Sequence, residues 1–177
     1  MRKIRLYIAI SLDGWIAKPD GDVAWLDQIP TPEGEDYGYA EFYAGIDTTL
    51  MGFNTYREVL GFGIPFPYPD KTNYVFTRQT DQADTEHVKF ITADPATFLR
   101  ELRTGPGADI WLIGGGQLNS ALLQHDLIDE MWVFVMPIVL GHGIPLFAPP
   151  LPEKQLTLLH NQTYPSGVTL LKYEPRS

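Results

Sequence analysis

The segment Asp-Ile-Trp-Leu-Ile-Gly-Gly-Gly-Gln-Leu, residues 109–118, has the residue pattern with the clearest chemical potential. An apolar strand runs into three glycines and then into a helical pattern. Glycines allow a sharp turn and leave main-chain amides open to a bulky anion. The following helix adds unpaired N–H groups and the positive end of its dipole. The segment therefore predicts a phosphate site, although a helix that merely packs close to a sheet gives the same pattern.

The two best-known phosphate motifs do not fit this segment. A P-loop needs Gly-Lys-Ser/Thr, whereas Gln117, Leu118 and Asn119 follow the glycines. A Gly-x-Gly-x-x-Gly fingerprint that begins at Gly114 fails at Asn119. It also lacks the usual ribose-binding acid, unless Asp129 or Glu130 serves.

Three further side chains are candidates for chemistry. Asp36 precedes a predicted helix, so it either complements the helix dipole or is a carboxyl group beside aromatic residues, with a raised pKa, that relays a proton. Arg78 follows a predicted strand end, where ligands bind in open α/β sheets, but a solvated cation is the alternative. Asp13, before Gly14, is most simply a turn residue.

Other site chemistries receive little support from the sequence. The four histidines lack metal-ligand spacing, so we predict no metal site; they are His87, His125, His142 and His160. Ser11 and Ser120 lack a nucleophile-elbow context. The absence of cysteine excludes disulfides and thiolate chemistry and is compatible with a reducing cytoplasm.

Composition limits the class of protein. The 177 residues are 44% hydrophobic, which fits one globular domain over 1–177. The net charge of −9 disfavours broad contact with nucleic acid or anionic membrane. The apolar start is short and meets Asp13, so we expect a first strand and no signal peptide. No segment approaches the length of a membrane span.

Hydrophobic periodicity predicts strands that alternate with helices. We predict a first helix whose apolar face consists of Tyr39, Phe42, Tyr43 and Ile46. Two further helices are predicted to begin at Asn54 and at Asp94-Pro95. Predicted strands are 4–10, 47–51, 73–77, 88–91, 109–113 and Met131–Val139, with loops at 17–34 and 61–70 and a hairpin from Gln155 to Tyr173 turning at 164–167. The fold class is α/β, with a mainly parallel sheet covered on both faces and a C-terminal antiparallel hairpin.

Several motifs, in order, resemble the dihydrofolate reductase superfamily. The chain looks most like stand-alone proteins related to the C-terminal reductase domain of the bifunctional riboflavin-biosynthesis deaminase-reductase. The resemblance covers nearly the whole chain through Ser11–Ala17, Asp20-Gly21, Trp25-Leu26, Met51–Tyr56, Val75–Arg78, Ile113–Gly116 and Pro137–Phe147.

The resemblance implies the three-layer fold of dihydrofolate reductase, NADPH as cofactor and a set of site residues. The pyrophosphate would meet Gly114, Gly115, Gly116 and Gln117, and a second helix start with Gly52 and Thr55. Thr77 and Arg78 would hold the adenosine end, with Arg78 on the 2′-phosphate. Ala9 and Ile16 would lie beside the nicotinamide, Asp36 would be the substrate-binding and catalytic carboxylate, and Asp13 and Trp15 would face the substrate. A homodimer is also implied.

Two positions depart from the family pattern. Phe53 stands where the family commonly has an arginine, which leaves the 2′-phosphate to Arg78. Trp15 replaces the lysine that contacts a ribityl substrate, which favours a flatter or more apolar substrate.

The leading hypothesis is therefore an NADPH-dependent reductase of a small pterin-like or pyrimidine-like heterocycle, with Asp36 or a water that it orders giving the proton. A non-catalytic nucleotide-binding member of the fold, acting as a binding or sensing protein, is the alternative. A nucleotide hydrolase is a third, disfavoured by the missing lysine and metal-binding carboxylates.

Overall fold

The computed structural model describes residues 1–176, which form an eight-stranded sheet and a separate two-stranded one. Helices are α1 (Tyr39–Ala44), α2 (Phe53–Gly61), α3 (Pro95–Leu102) and α4 (Gly116–Gln124), and a 3-10 turn spans Ala24–Gln28. Strands are β1 (Ile4–Ser11), β2 (Trp15–Ala17), β3 (Ile46–Gly52), β4 (Thr72–Phe76), β5 (Val88–Ile91), β6 (Asp109–Gly114), β7 (Glu130–Met136), β8 (Ile144–Pro145), β9 (Leu156–Thr163) and β10 (Thr169–Pro175).

The main sheet has the order β5-β4-β3-β6-β1-β7-β10-β9. Its first six strands are parallel, and the β9–β10 hairpin adds antiparallel to β7. The predicted α/β fold class with a C-terminal hairpin is confirmed. The hairpin turn is where the sequence predicts it, with Gly167 at φ 84°.

Side chains alternate between the two faces of the sheet, because successive residues of a strand point to opposite sides. On β1, Leu6 packs into the core under α3 and α4, while Tyr7 packs into an aromatic core with Phe42 of α1. Trp25 of the 3-10 turn is fully buried in that aromatic core. The result is a three-layer arrangement, as expected.

Some element boundaries differ from the predictions. Asn54 is not an N-cap: β3 passes straight into α2, so Gly52 holds that position, and it offers no side-chain bond. Ile46 is not on α1, because Gly45 ends that helix and Ile46 begins β3. The predicted strand to Val139 ends at Met136, because Pro137 has no N–H to donate to a ladder.

Two short strands were not predicted, and they matter for the site. β2 pairs antiparallel with β8, so that Trp15 lies opposite Pro145. Both are too short to show periodicity in the sequence. Their pairing ties the loop after β1 to the segment that follows β7.

Candidate functional site

The carboxyl ends of β4, β3 and β6 lie side by side at one edge of the sheet. The strand register places Met51 opposite Gly114 and Gly52 opposite Phe76. Thr77 continues directly from β4 at the same edge. In open α/β sheets this edge is where ligands bind. The structure thus brings together the glycine triplet, Gly52 and the Thr77 segment, as the sequence analysis expected.

Two helices begin at this edge with uncapped N-termini. Gly52 and Gly115 are the N-cap residues of α2 and α4, and neither supplies a side-chain hydrogen bond to its helix. The two helix starts approach each other closely: a methyl group on Gly115 would lie 3.1 Å from the Thr55 hydroxyl and 4.0 Å from Ile16 Cδ1. Free amides and two positive dipole ends therefore converge on a space that a side chain at Gly115 would fill.

The third glycine of the triplet has a different role. A methyl group on Gly116 would collide with the Pro145 carbonyl, and the Ala148 amide donates to the Gly116 carbonyl over 3.1 Å. Close packing therefore requires a glycine at position 116, whereas Gly115 keeps the space between the two helix starts open. Gly114 has φ 120°, a conformation that side chains rarely adopt. The close-packing alternative therefore describes Gly116, and the phosphate site stays a prediction for Gly115. Gln117 lies exposed in the first turn of α4.

Side chains of α4 fasten the segment after β8 onto the glycine turn. The Asn119 amide nitrogen donates to the Leu146 carbonyl over 2.9 Å, and the Ser120 hydroxyl donates to the Ala148 carbonyl over 2.8 Å. Asn119 is completely buried, and its amide oxygen has no partner among residues 1–176. That oxygen lies beside Gly114. Sequence reasoning used Asn119 only to reject a motif and missed this role.

Thr77 and Arg78 follow the carboxyl end of β4, at the same sheet edge as the two helix starts. The Thr77 amide is held by the Ile91 carbonyl, and the Thr77 hydroxyl accepts from the Gln79 amide at 3.0 Å. Arg78 is exposed and forms no ion pair within the described chain. Phe53, which replaces the second cation, instead packs against Phe90 with ring centroids 6.2 Å apart. The structure therefore leaves Arg78 available for an anion, whereas Phe53 offers no positive charge.

These features fit an NADP-type cofactor. The two uncapped helix starts suit a pyrophosphate, and Arg78 suits a phosphate. Ile16 Cδ1 lies 4.0 Å from where a methyl group on Gly115 would stand, so Ile16 borders the space between the two helix starts.

A small aromatic cavity opens beside Ala9. It has a volume of about 120 Å³, and no Asp, Glu, Lys or Arg of the described residues lines it. Its lining residues are Tyr7, Ala9, Tyr37, Phe134, Met136 and Val168. Ala9 was expected at the nicotinamide, whereas Tyr7 and Tyr37 were not predicted as site residues. The signal for Tyr7 was its position two residues before Ala9, which places both on the same face of β1.

Asp36 does not have the property predicted for a proton relay. Its carboxylate accepts from the Ala40 and Gly38 amides, each at 2.9 Å, and these hydrogen bonds hold its pKa below the ordinary value. Asp36 is also exposed. The predicted raised pKa is therefore wrong, because bonds to backbone amides favour the charged form. The dipole-complementing alternative describes this carboxylate, which organises the start of α1.

Asp13 holds two loops together. Its carboxylate accepts from the Leu140 and Gly141 amides at 3.0 and 2.7 Å, and from the Trp15 indole N–H at 3.0 Å. The turn-residue interpretation therefore describes Asp13, and its engaged oxygens fix Trp15. A hydrogen bond with Ser11, followed by those amides, lowers the pKa of Asp13 well below its usual range.

We expect Asp13→Asn to make the stability of the protein less dependent on pH at acid pH. A depressed carboxyl pKa contributes fully above the unfolded value of about 4, and that contribution is lost as the pH falls further. The melting temperature of the wild type should therefore drop more steeply than that of the variant below about pH 4. Asp81→Asn, at an exposed position, is the matched control. Equal slopes for wild type and Asp13→Asn would contradict the assignment.

A second, larger cavity is acidic. It has a volume of about 620 Å³ between the loop before α1 and the end of α2, and no Lys or Arg of the described chain lines it. Its carboxylates are Asp20, Asp22, Asp27 and Glu58. Such a wall repels phosphate-bearing groups.

The described residues also bear on metal binding and on membrane spanning. Within residues 1–176, no group of three or more His, Asp or Glu side chains is arranged to hold a metal ion. None of the helices described is both long and apolar enough to cross a bilayer.

Comparison with known proteins gives consistent matches. The family model of the RibD C-terminal domain matches residues 68–170, more than half of the chain. YwjB of Bacillus subtilis, an uncharacterised protein, is 44% identical over 170 residues, which cover 96% of each chain. A Shewanella sp. PV-4 protein assigned provisionally to riboflavin biosynthesis has a structure of TM-score 0.88 at 28% identity over 99% of both chains.

A more distant structure agrees in fold alone. The Thermotoga maritima diaminohydroxyphosphoribosylaminopyrimidine deaminase/5-amino-6-(5-phosphoribosylamino)uracil reductase aligns at TM-score 0.72 and 19% identity. Our chain spans 57% of that longer protein.

Proposed function

Because the chain belongs to the RibD C-terminal domain family, we propose that it is an NADPH-dependent reductase of a small heterocyclic, pyrimidine-like or pterin-like substrate. The observation that carries the proposal is the convergence of two uncapped helix starts at Gly115 and Thr55. Arg78 lies at the same sheet edge, and the aromatic cavity opens beside Ala9. Family membership supports a reductase, and this geometry supports the cofactor.

In this proposal the cofactor supplies a hydride to a C=N or C=O carbon of the substrate. The nitrogen or oxygen of that double bond would take its proton from solvent, since no carboxylate of the described residues lines the aromatic cavity. The chain's own contribution is alignment. Gly52, Gly115 and Arg78 would hold the phosphates, and Ala9 and Ile16 would lie beside the nicotinamide.

The residues near the proposed substrate site indicate the charge of the substrate. By the resemblance, Trp15 stands where the ribityl-binding members have a lysine, and no Lys or Arg of the described residues lines the aromatic cavity. Both features disfavour a phosphorylated substrate. We therefore propose a heterocycle without a phosphate group.

The cofactor part is tested by titrating the tryptophan fluorescence of the protein with NADPH and NADH. We expect saturable quenching by NADPH. No binding of either nucleotide at millimolar concentration would refute the proposal. Loss of NADPH absorbance in the presence of pyrimidinones, pterins and quinones then tests the reaction.

A non-catalytic binding protein is the second candidate, and two observations favour it. The carboxylate expected to relay a proton has a lowered pKa, and no carboxylate lines the aromatic cavity. That function predicts saturable nucleotide binding without NADPH oxidation by any member of the panel.

A further inference from the structure

The main chain of Leu146 joins two parts of the molecule that border the space between the two helix starts. Its carbonyl accepts from the side-chain amide of Asn119 in α4 over 2.9 Å, and its own amide donates to the Gly14 carbonyl over 3.1 Å. Gly14 directly precedes β2, the strand that contains Ile16. Leu146 therefore ties the helix that begins after Gly115 to the loop between β1 and β2.

These hydrogen bonds form a closed ring around that space. Within α4, the main-chain amide of Asn119 donates to the Gly115 carbonyl over 3.0 Å. On the opposite side, Ile16 Cδ1 lies 4.0 Å from where a methyl group on Gly115 would stand. The distance from Ile16 to Gly115 is therefore set by the hydrogen bonds through Leu146, together with the pairing of β2 with β8.

Asn119 is a costly residue for its surroundings. It is completely buried, and its amide oxygen has no partner among residues 1–176. Its helix neighbours Leu118 and Leu122 belong to the apolar core. Because a buried oxygen without a partner costs free energy, an apolar side chain of similar size would suit stability better. The property that only Asn119 supplies here is the hydrogen bond that fixes Leu146.

We propose that Asn119 is a positioning residue for the cofactor. Acting through Leu146, it holds Ile16 in place beside the nicotinamide end of a bound dinucleotide. The inference rests on the proposed function, in which Ile16 lies beside the nicotinamide. Since Asn119 is completely buried, it would not touch the cofactor itself. Its removal should therefore affect the nicotinamide end of the cofactor and not the adenosine end.

The test compares wild type with Asn119→Leu, which keeps the size of the side chain but has no donor for Leu146. The affinity for NADPH, measured by calorimetry, should fall about five- to tenfold. The affinity for adenosine 2′,5′-bisphosphate, which lacks the nicotinamide, should stay the same. A protein that is merely destabilised would lose affinity for both ligands. Leu146 also packs against the apolar core, so we expect the variant to fold.

Ile16→Ala is the second variant, because it shortens the side chain beside the cofactor without removing any of the hydrogen bonds. It should lose NADPH affinity to a similar extent. If Asn119 acts through Ile16, the double variant should lose no more than about twofold beyond Ile16→Ala alone. Fully additive losses would overturn the inference, as would unchanged NADPH affinity in Asn119→Leu.

Gln124→Leu is the matched control. The Gln124 side-chain amide donates from the same helix to the Pro150 carbonyl over 2.8 Å, farther along the chain than Leu146. This variant should bind NADPH like wild type, and a loss equal to that of Asn119→Leu would contradict the specific role of Asn119.

Hydrogen exchange of the nucleotide-free protein gives an independent measurement. The Leu146 amide should exchange at least about tenfold faster in Asn119→Leu than in wild type, and at the wild-type rate in Gln124→Leu. Equal protection of this amide in all three proteins would overturn the inference. The two proposals fail separately. Absence of NADPH binding in wild type removes the reductase together with the role of Asn119 in it, whereas normal wild-type binding with any of the contradicting results removes only the role of Asn119.

Discussion

Replacing Gly116 with alanine should destabilise the protein by about 3 kcal/mol, the upper range for overpacking a tight contact. The added methyl group meets the Pro145 carbonyl, which is backbone and cannot rotate aside. The Asn119 and Ser120 hydrogen bonds hold the same segment from α4. Differential scanning calorimetry should therefore show a melting temperature lower by about 6–12 °C.

Gly61→Ala is the matched control for this variant. Gly61 is the last residue of α2, and a methyl group there has nothing within 4 Å. Alanine is the better helix former, so this control should gain up to about 1 kcal/mol. If Gly116→Ala melts like wild type, residues 144–148 can shift to admit the methyl group. That result would contradict the claim that the Asn119 and Ser120 hydrogen bonds fix this segment against α4.

The contrast among the three glycines shows how far the sequence could be interpreted. Their position between a strand and a helix predicted a turn with exposed amides, and the structure has that turn. The sequence could not assign a separate role to each glycine, because Gly116 is constrained by Pro145, which is 29 positions away in the chain. Contacts of that separation arise from the pairing of β2 with β8, strands too short to show a period.

For Asp36 and Tyr7 too, the sequence predicted the position of the residue but not its chemical environment. An acid before a helix was correctly placed, but its pKa depends on whether the amides of Gly38 and Ala40 turn back onto it. Local sequence does not specify that geometry. Tyr7 was interpreted as an ordinary strand residue, since its hydroxyl partner, the Tyr37 carbonyl, belongs to a loop without periodicity. Strand alternation did place it on the face of Ala9.

Replacing Arg78 with alanine should weaken NADPH binding by about 10- to 100-fold while NADH binding stays the same. Charge-assisted hydrogen bonds contribute about 1.5–3 kcal/mol, which corresponds to that range. NADH lacks the 2′-phosphate that the guanidinium would contact. The effect should be large because Phe53 packs on Phe90 and supplies no second cation. Fluorescence titration with both nucleotides measures the ratio directly.

Arg100→Ala, which removes an exposed arginine from α3, is the control for the loss of one positive charge from an acidic protein. It should leave both affinities unchanged, since its charge lies away from the sheet edge where Thr77 and Gly52 meet. Arg78→Lys should recover part of the NADPH preference, because an ammonium keeps the charge but not the two-pronged geometry. Equal losses for NADPH and NADH in Arg78→Ala would place Arg78 at the pyrophosphate, and no loss would remove it from the cofactor site.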